Sequence, residues 1–558
     1  MFNEIYGEMN TIYSAHNFIF VFRWDFLRKG KKFDDVEFDR RTDLEKINEL
    51  LKQNNWDRKN NITHHYFNYF TYFYEFVRET VYDSNDKNSI VRYYEYKIDG
   101  IDADKKKYVI EYLDGFNNDD FKVLTTEGEC TNYIINKTKK IILNVKGITL
   151  FIFGTGVGAI SFDLQNTLPE QSKPEDILKI NEFGRRIYPQ FLNFDERNYI
   201  FNAQRVFLSR SITLFYWNED FEWYNKSENF KSNKPIVLPL FIKKLFDGIP
   251  LDGENSEDVK NDRLRLKYVT DDRMFFVSWY GNDRFSSVIG RTYSKSNWWY
   301  AYIFGDKENP TIANNEMKNE QIRLHTYQRW SGYGTLYGMS RDSFVCLSAS
   351  ENFMNENDLP NLRKHQNSIY YQIAVLCLVQ RASVLKFSAE VTQISDIYKK
   401  GETEISSKIE NIYAHYIKFL NKMYFREVTS QIQGIEIYKK FQEIMNIHND
   451  VKDLDKQINE LSSFAHLLEQ KRENDEMKTH TLLATIFLPA MLISGILGMN
   501  VWEQFHTTIP KYFFGGNFVW SFWIPVLIFT IPILLFTKSH RIIIKFFKKI
   551  KNKKYGVG

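Results

Sequence analysis

The chain has 558 residues, 74 Lys and Arg against 70 Asp and Glu, a formal charge of +4, and 43% apolar and 16% aromatic content. That length and composition suit more than one domain with a sizeable core, and they exclude a disordered or low-complexity chain. Cys130, Cys346 and Cys377 lie far apart with no C-x-x-C pair, which excludes a zinc ribbon or dithiol site from the sequence and suits a reducing cytosol.

Residues 1–365 read as an α/β cytosolic domain. The opening MFNEIYGEMN lacks the basic and apolar regions of a signal peptide. Alternating or β-branched runs predict strands at Val91–Ile98, Tyr108–Leu113, Lys140–Val145 and Thr149–Phe153. Further strands are expected at Leu264–Val269, Met274–Trp279, Trp298–Phe304 and Phe344–Leu347. Helical spacing predicts helices at Pro174–Ile187, Leu238–Phe246 and Asn315–Trp330.

Two glycine clusters interrupt this domain. FIFGTGVGAISFDL, with Gly154, Gly156 and Gly158, reads as a β-hairpin turn, because a strand rather than a phosphate-binding helix follows the glycines. RWSGYGTLYGMSRDSF pairs Arg329 and Arg341 with Gly-rich backbone, a combination able to hold a phosphate. The plainer reading, a turn with surface arginines, is favoured. His64 and His65 have no evident metal partners in the sequence. No G-K-[S/T] loop, G-x-S-x-G elbow or H-E-x-x-H motif occurs, so no enzyme activity is expected.

Residues 366–480 read as helices and a stalk. Helices are expected at Ser368–Ile394 and Glu404–Glu427. The apolar run Ile369–Val379 is too short to cross a bilayer and reads as a buried helix. A long helical stretch follows Gly434, with apolar residues at Ile437, Phe441, Ile444, Val451, Leu454, Ile458, Leu461, Ala465 and Leu468. Its spacing of three and four slips once, like a stammer, with His448 filling one slot.

Two uncharged runs come next, Thr481–Met499 and Phe518–Thr537, of nineteen and twenty residues. As helices they reach roughly 28–30 Å, a bilayer core. Trp502, Tyr512, Trp520 and Trp523 lie near the expected interfaces. The loop 500–517 carries only Lys511 and Glu503, whereas the tail 538–558 holds eight basic residues and no acid. Removing that tail leaves the rest of the chain at −4, which argues against direct nucleic-acid binding. The basic flanks predict a multi-pass protein of the inner (plasma) membrane with both termini cytoplasmic.

One stripe changes character along the first span. Ser463, Leu467, Gln470 and Asn474 are mostly polar, whereas Met477, Thr481, Ala484, Leu488, Met491 and Gly495 become small or apolar. In a ring of such helices the polar part lines a wet funnel, and Leu488 with Met491 forms a constriction that closes by dewetting. Ordinary helix packing on small residues explains the stripe as well.

The segment TIFLPAMLISGILGMN, ending in Gly498, Met499 and Asn500, resembles the end of the first transmembrane helix of the CorA family of divalent-cation transporters. The layout is similar too: a long cytosolic helix, this span, a short loop, a second span and a basic tail. The resemblance covers about 430–550. It implies a homopentamer in the lipid bilayer whose first spans line the pore, with Asn500 at the outer mouth. A ring of neutral amide oxygens there can hold hydrated Mg²⁺ without stripping its water. The loop VWEQFHTTIPKYFFGGN lacks the family's Met-Pro-Glu-Leu-like segment, which leaves the permeant divalent cation open.

Two functions follow from the resemblance. One is a Mg²⁺-regulated magnesium transporter. The other is a type III CRISPR-associated CorA-like effector, which the size of the chain and its glycine–arginine segments resemble. That second likeness implies gating by a nucleotide second messenger bound to the cytosolic domain, with Arg329 and Arg341 as candidate contacts.

Overall fold

A computed structural model describes residues 12–27, 44–52, 54–59, 71–82, 89–97, 106–113, 138–187, 209, 211–216, 219–224, 238–247, 249, 251, 263–269, 273–307, 310–350, 366–397 and 402–498. The chain divides into two compact units, Met1–Lys399 with Lys408–Glu460 and Lys400–Ser407 with Leu461–Gly558.

The first unit is built on one sheet. Its strands are β1 Ser14–Leu27, β2 Trp56–Lys59, β3 Val91–Tyr96, β4 Lys107–Leu113, β5 Thr138–Phe153, β6 Val157–Asn166 and β7 Ser211–Tyr216. They continue with β8 Glu219–Tyr224, β9 Arg263–Tyr268, β10 Phe275–Gly281, β11 Thr326–Tyr327, β12 Leu336–Met339 and β13 Ser343–Ser348. The main path runs β11-β12-β13-β10-β1-β6-β5-β4-β7-β8. All its described pairings are antiparallel except β10 with β13. The longest strands branch: one edge of β1 pairs first with β10 and then β9, and one edge of β5 pairs with β4 and then β3.

The longer helices are α1 Leu44–Lys52, α2 Pro174–Arg185, α3 Asp283–Thr292, α4 Asn297–Phe304, α5 Asn315–His325, α6 Tyr371–Ile397, α7 Glu402–Lys422, α8 Ile432–Ile444 and α9 Ile447–Gly498. Within the first unit, helices flank both faces of the sheet, α2 on one and α6 on the other. Phe18, Phe20, Phe22, Trp24 and Phe26 alternate along β1 into the main core, and the intervening Ile19 and Val21 are buried as well. On one face α2 closes on Phe18 through Gly184, where a β-carbon would lie 2.4 Å from the ring. On the other lies α6: Tyr371 donates a hydrogen bond to Ser161 Oγ at 2.8 Å, and Ser383 Oγ sits 3.4 Å from Thr155 Oγ1.

This placement decides the role of the apolar run Ile369–Val379. The helical segment Gln366–Ile394 is apolar and long enough to cross a membrane, but 89% of its most apolar window is buried inside the fold. It is the core helix of the α/β unit, as the sequence suggests.

The glycine cluster at 154–158 is a hairpin turn between β5 and β6, with Gly156 in the left-handed region at φ 82°. The two strands expected at Lys140–Val145 and Thr149–Phe153 are one strand, β5, irregular between Val145 and Gly147. Three expectations need correction. Trp298–Phe304 is helix α4 rather than a strand. Asn315–Trp330 leaves the helical path after His325 and enters β11. The stalk is two helices, because Asn446 between α8 and α9 turns to φ 55°. Asn tolerates that conformation, and its side chain bonds Asp450 Oδ1 at 2.7 Å in the next turn. The central strand β1 was not among the predicted strands.

Candidate pore-lining segment

Residues 447–460 of α9 lie in the first unit and 461–498 in the second. In the first, Val451, Leu454 and Ile458 are buried, as the three–four spacing demands. The second part has a different environment. Before the apolar run it carries exposed ion pairs, Arg472 with Glu476 at 3.7 Å and Lys478 with Asp475 at 2.8 Å. The Lys478 ammonium holds the Asp475 carboxyl below the usual range.

Within the apolar run several large side chains are uncovered. Leu488 is 60% exposed, Met491 65%, Phe487 58% and Leu492 66%. Met477, Thr481, Ala484 and Gly495 are exposed too, and a β-carbon on Gly495 would meet nothing within 4 Å. All six stripe residues therefore stand free in a single chain, together with residues on adjoining faces. The contrast with α6 is direct: one apolar helix is buried in protein, and the other has no cover from described residues.

Hydroxyls in this stretch are satisfied along the helix itself. Thr481 Oγ1 donates to Met477 O at 2.8 Å and Thr485 Oγ1 to Thr481 O at 2.7 Å. Such back-bonding lets threonine sit in an apolar medium without an orphan donor, and leaves oxygen lone pairs free to accept from water. Gly498 is the last residue of α9. Met499, Asn500, the loop 500–517, the second span 518–537 and the tail 538–558 lie outside the described residues. Cys130, His64 and His65 do as well.

The second candidate constellation, Arg329 and Arg341, lies in the sheet unit. Arg329 forms a two-pronged pair with Glu436 of α8, its Nη1 lying 2.8 and 2.9 Å from the two carboxylate oxygens, and Tyr327 also donates to Glu436. These bonds lower the Glu436 pKa, the Tyr327 hydroxyl first. Arg341 Nε reaches Ile444 O, the last carbonyl of α8, at 3.5 Å. Both arginines thus face α8. Glu436 was not singled out in the sequence; it lies over a hundred positions from Arg329, and no local pattern links them. Among the described residues no group of three or more His, Cys, Asp or Glu is placed to hold a metal ion.

Residues 382–538 match the family described as CorA-like Mg²⁺ transporter protein. No curated protein matches the chain. The match begins within α6, takes in α7, α8 and α9, and reaches the first residue of the basic tail. The match starts well upstream of the segment where the motif is legible. It contains the stripe and the Gly498-Met499-Asn500 triplet, while Arg329 and Arg341 lie outside it.

Proposed function

We propose that the chain is the subunit of a membrane channel or transporter for Mg²⁺ or another divalent cation, with the C-terminal part of α9 lining the pore. One observation carries this reading: inside the CorA-like match, α9 ends in an apolar segment in which Leu483, Phe487, Leu488, Met491 and Leu492 are 45–66% exposed in a single chain. Apolar surface in water costs about 25 cal/mol per Å², and lipid or neighbouring copies remove that cost. A lone pair of spans encloses no aqueous path, so the reading requires several copies, arranged as the pentamer that the resemblance implies.

In that assembly Asn500 holds the hydrated cation at the outer mouth, Gly498 and Met499 belong to the same pore motif, and Leu488 with Met491 forms the apolar gate. Both termini lie on the cytoplasmic side of the inner membrane. The reading assigns transport and no catalysis. The sheet of the α/β unit lies wholly outside the family match, which supports a regulatory input of its own; the reading makes that input a nucleotide second messenger in a type III CRISPR antiviral response. A swing from 1:99 to 99:1 open needs about 5.5 kcal/mol of differential binding. Five equivalent sites supply that at about 1 kcal/mol each.

The test is Mg²⁺ flux into liposomes holding the purified protein, with and without a panel of nucleotide messengers. Flux that requires a nucleotide supports the gated channel. Flux without nucleotide, suppressed by Mg²⁺ on the cytosolic face, supports the Mg²⁺-regulated transporter. Leu488→Asn is expected to leave the pore leaky and Asn500→Ala to alter or abolish divalent flux. Unchanged conductance in both variants removes these residues from the pathway, and no flux under any condition overturns the reading.

A further inference from the structure

Glu436 joins two elements that lie far apart in the chain. Its carboxylate accepts from Arg329 Nη1 at 2.8 and 2.9 Å and from the Tyr327 hydroxyl. Tyr327 lies on β11, the strand that ends the sheet path. That strand is held to β12 by two residue pairs, Thr326 with Gly338 and Tyr327 with Tyr337. Arg329 follows on the same segment, and Glu436 lies in the first half of α8. The Arg329 and Glu436 side chains are 40% and 41% exposed, so the pair forms and breaks in contact with water.

The other side of α8 is held differently. Ile437, Tyr438 and Phe441 are buried. Tyr438 donates to Phe425 O at 2.6 Å, and Gln442 Nε2 donates to Gln380 Oε1 of α6 at 2.6 Å. Gln380 Nε2 in turn donates to Met423 O at 2.6 Å. This buried seam of paired polar groups keeps α8 on α6. At 100° per residue Glu436 projects from a different side of the helix than Ile437 and Phe441. A bond at Glu436 therefore controls rotation about the seam.

Helix α8 passes any rotation on through a short junction. Asn446, at φ 55°, donates its N–H to Glu443 O at 3.0 Å, and Asp450 N donates to Asn446 O at 3.0 Å. From there α9 runs from Ile447 to Gly498. Arg341 touches the same end of α8 at Ile444 O, and Arg381 of α6 donates to Arg341 O at 2.8 Å.

We propose that Tyr327, Arg329 and Glu436 form a latch through which the end of the sheet sets the angle of α8 and, across the Asn446 turn, the course of α9. Closed, it fixes α8 from outside its buried seam; open, it lets the helix rock about that seam. The latch gives Arg329 a partner within the chain. An ion pair of this exposure contributes up to about fivefold to an equilibrium, and copies that move together multiply that factor. The contact needs no pore, but its effect on transport rests on the channel reading.

The test is a charge-swap cycle on the full chain, read by hydrogen exchange of the α8 amides in detergent and by Mg²⁺ flux in liposomes. Arg329→Glu and Glu436→Arg should each speed exchange across residues 432–446 and shift flux in one common direction, by about threefold or more in each readout. Glu436→Gln, which keeps the size and removes the charge, should act in the same direction. The swapped pair, Arg329→Glu with Glu436→Arg, should return both readouts to within about twofold of wild type. That return excludes misfolding as the cause of the single effects. Arg291→Glu, a charge reversal on α3, should leave both readouts unchanged. A swapped pair no closer to wild type than either single variant overturns the latch. Restored exchange with flux unchanged in every variant makes the contact a surface pair with no part in gating, and overturns it too. No flux from the wild type under any condition removes the channel reading and the latch's part in gating; the exchange cycle then decides whether the contact holds α8.

Discussion

At the scale of single residues, the core of the α/β unit contains a polar chain that had no sequence signature. His16 Nδ1 lies 2.8 Å from Asn181 Oδ1, and its Nε2 lies 2.8 Å from Ser14 Oγ. Ser278 Oγ links this group to the Tyr302 hydroxyl at 3.0 Å, and Tyr302 donates to Cys346 O at 3.2 Å. An amide oxygen facing Nδ1 assigns the proton to that nitrogen in a neutral imidazole. Burial, opposed by the Asn181 bond, lowers the His16 pKa from 6.5 to about 4. The unfolded chain therefore binds the extra proton first as pH falls. Stability from this group is complete above about pH 6.5, declines between about 6.5 and 4, and levels off below, a loss of about 3 kcal/mol. His16→Asn should remove that share of the pH dependence. Unfolding midpoints compared between pH 7 and 4 check it: parallel wild-type and variant curves would show that His16 does not titrate in this way.

At the scale of elements, helix α4 shows what periodicity hides. Its sequence NWWYAYIF is rich in residues that favour strands, and so it reads as one. Its ends decide otherwise. Ser296 accepts from Trp299 N at 3.1 Å, and Gly305 closes the helix at φ 70°. Arg185 then donates to Phe304 O and Gly305 O at 3.2 and 2.8 Å, a cation at the negative end of the helix. Gly305→Ala combines an unfavourable backbone angle with a β-carbon 2.6 Å from the Arg185 guanidinium carbon. It should cost about 2 kcal/mol or more, and a denaturant midpoint equal to wild type would refute the cap. The turn at Gly154–Gly156 was legible because glycine chemistry is local. The break at Asn446 was not, since one residue's left-handed turn leaves the three–four spacing of its neighbours nearly intact. The partner of Arg329 was equally hidden, being set by tertiary packing across a long sequence separation.

At the scale of the whole molecule, the sequence separates two apolar helices by length and flanking charge, and the structure separates them by cover. The proposed pore adds one property that a single chain cannot express: in it the stripe from Met477 to Gly495 faces water while adjoining faces meet lipid or protein. At 100° per residue, Ala484, Leu488 and Met491 share one side of α9, whereas Leu483 and Phe487 share another. The native thiols permit a cysteine test of this. Cys346 and Cys377 are fully buried, and burial pushes the Cys346 thiol well above its usual range, so it stays unreactive. Replacing Cys130 by serine then gives a quiet background for single cysteines at 483, 484, 487, 488 and 491. A charged, membrane-impermeant thiol reagent should modify positions 484, 488 and 491 during flux and lower it, while 483 and 487 react at least about tenfold more slowly, because thiolate forms poorly against lipid. Modification with no three–four period, or strongest at 483 and 487, would place the aqueous path on another face of α9 and reassign the gate from Leu488 and Met491.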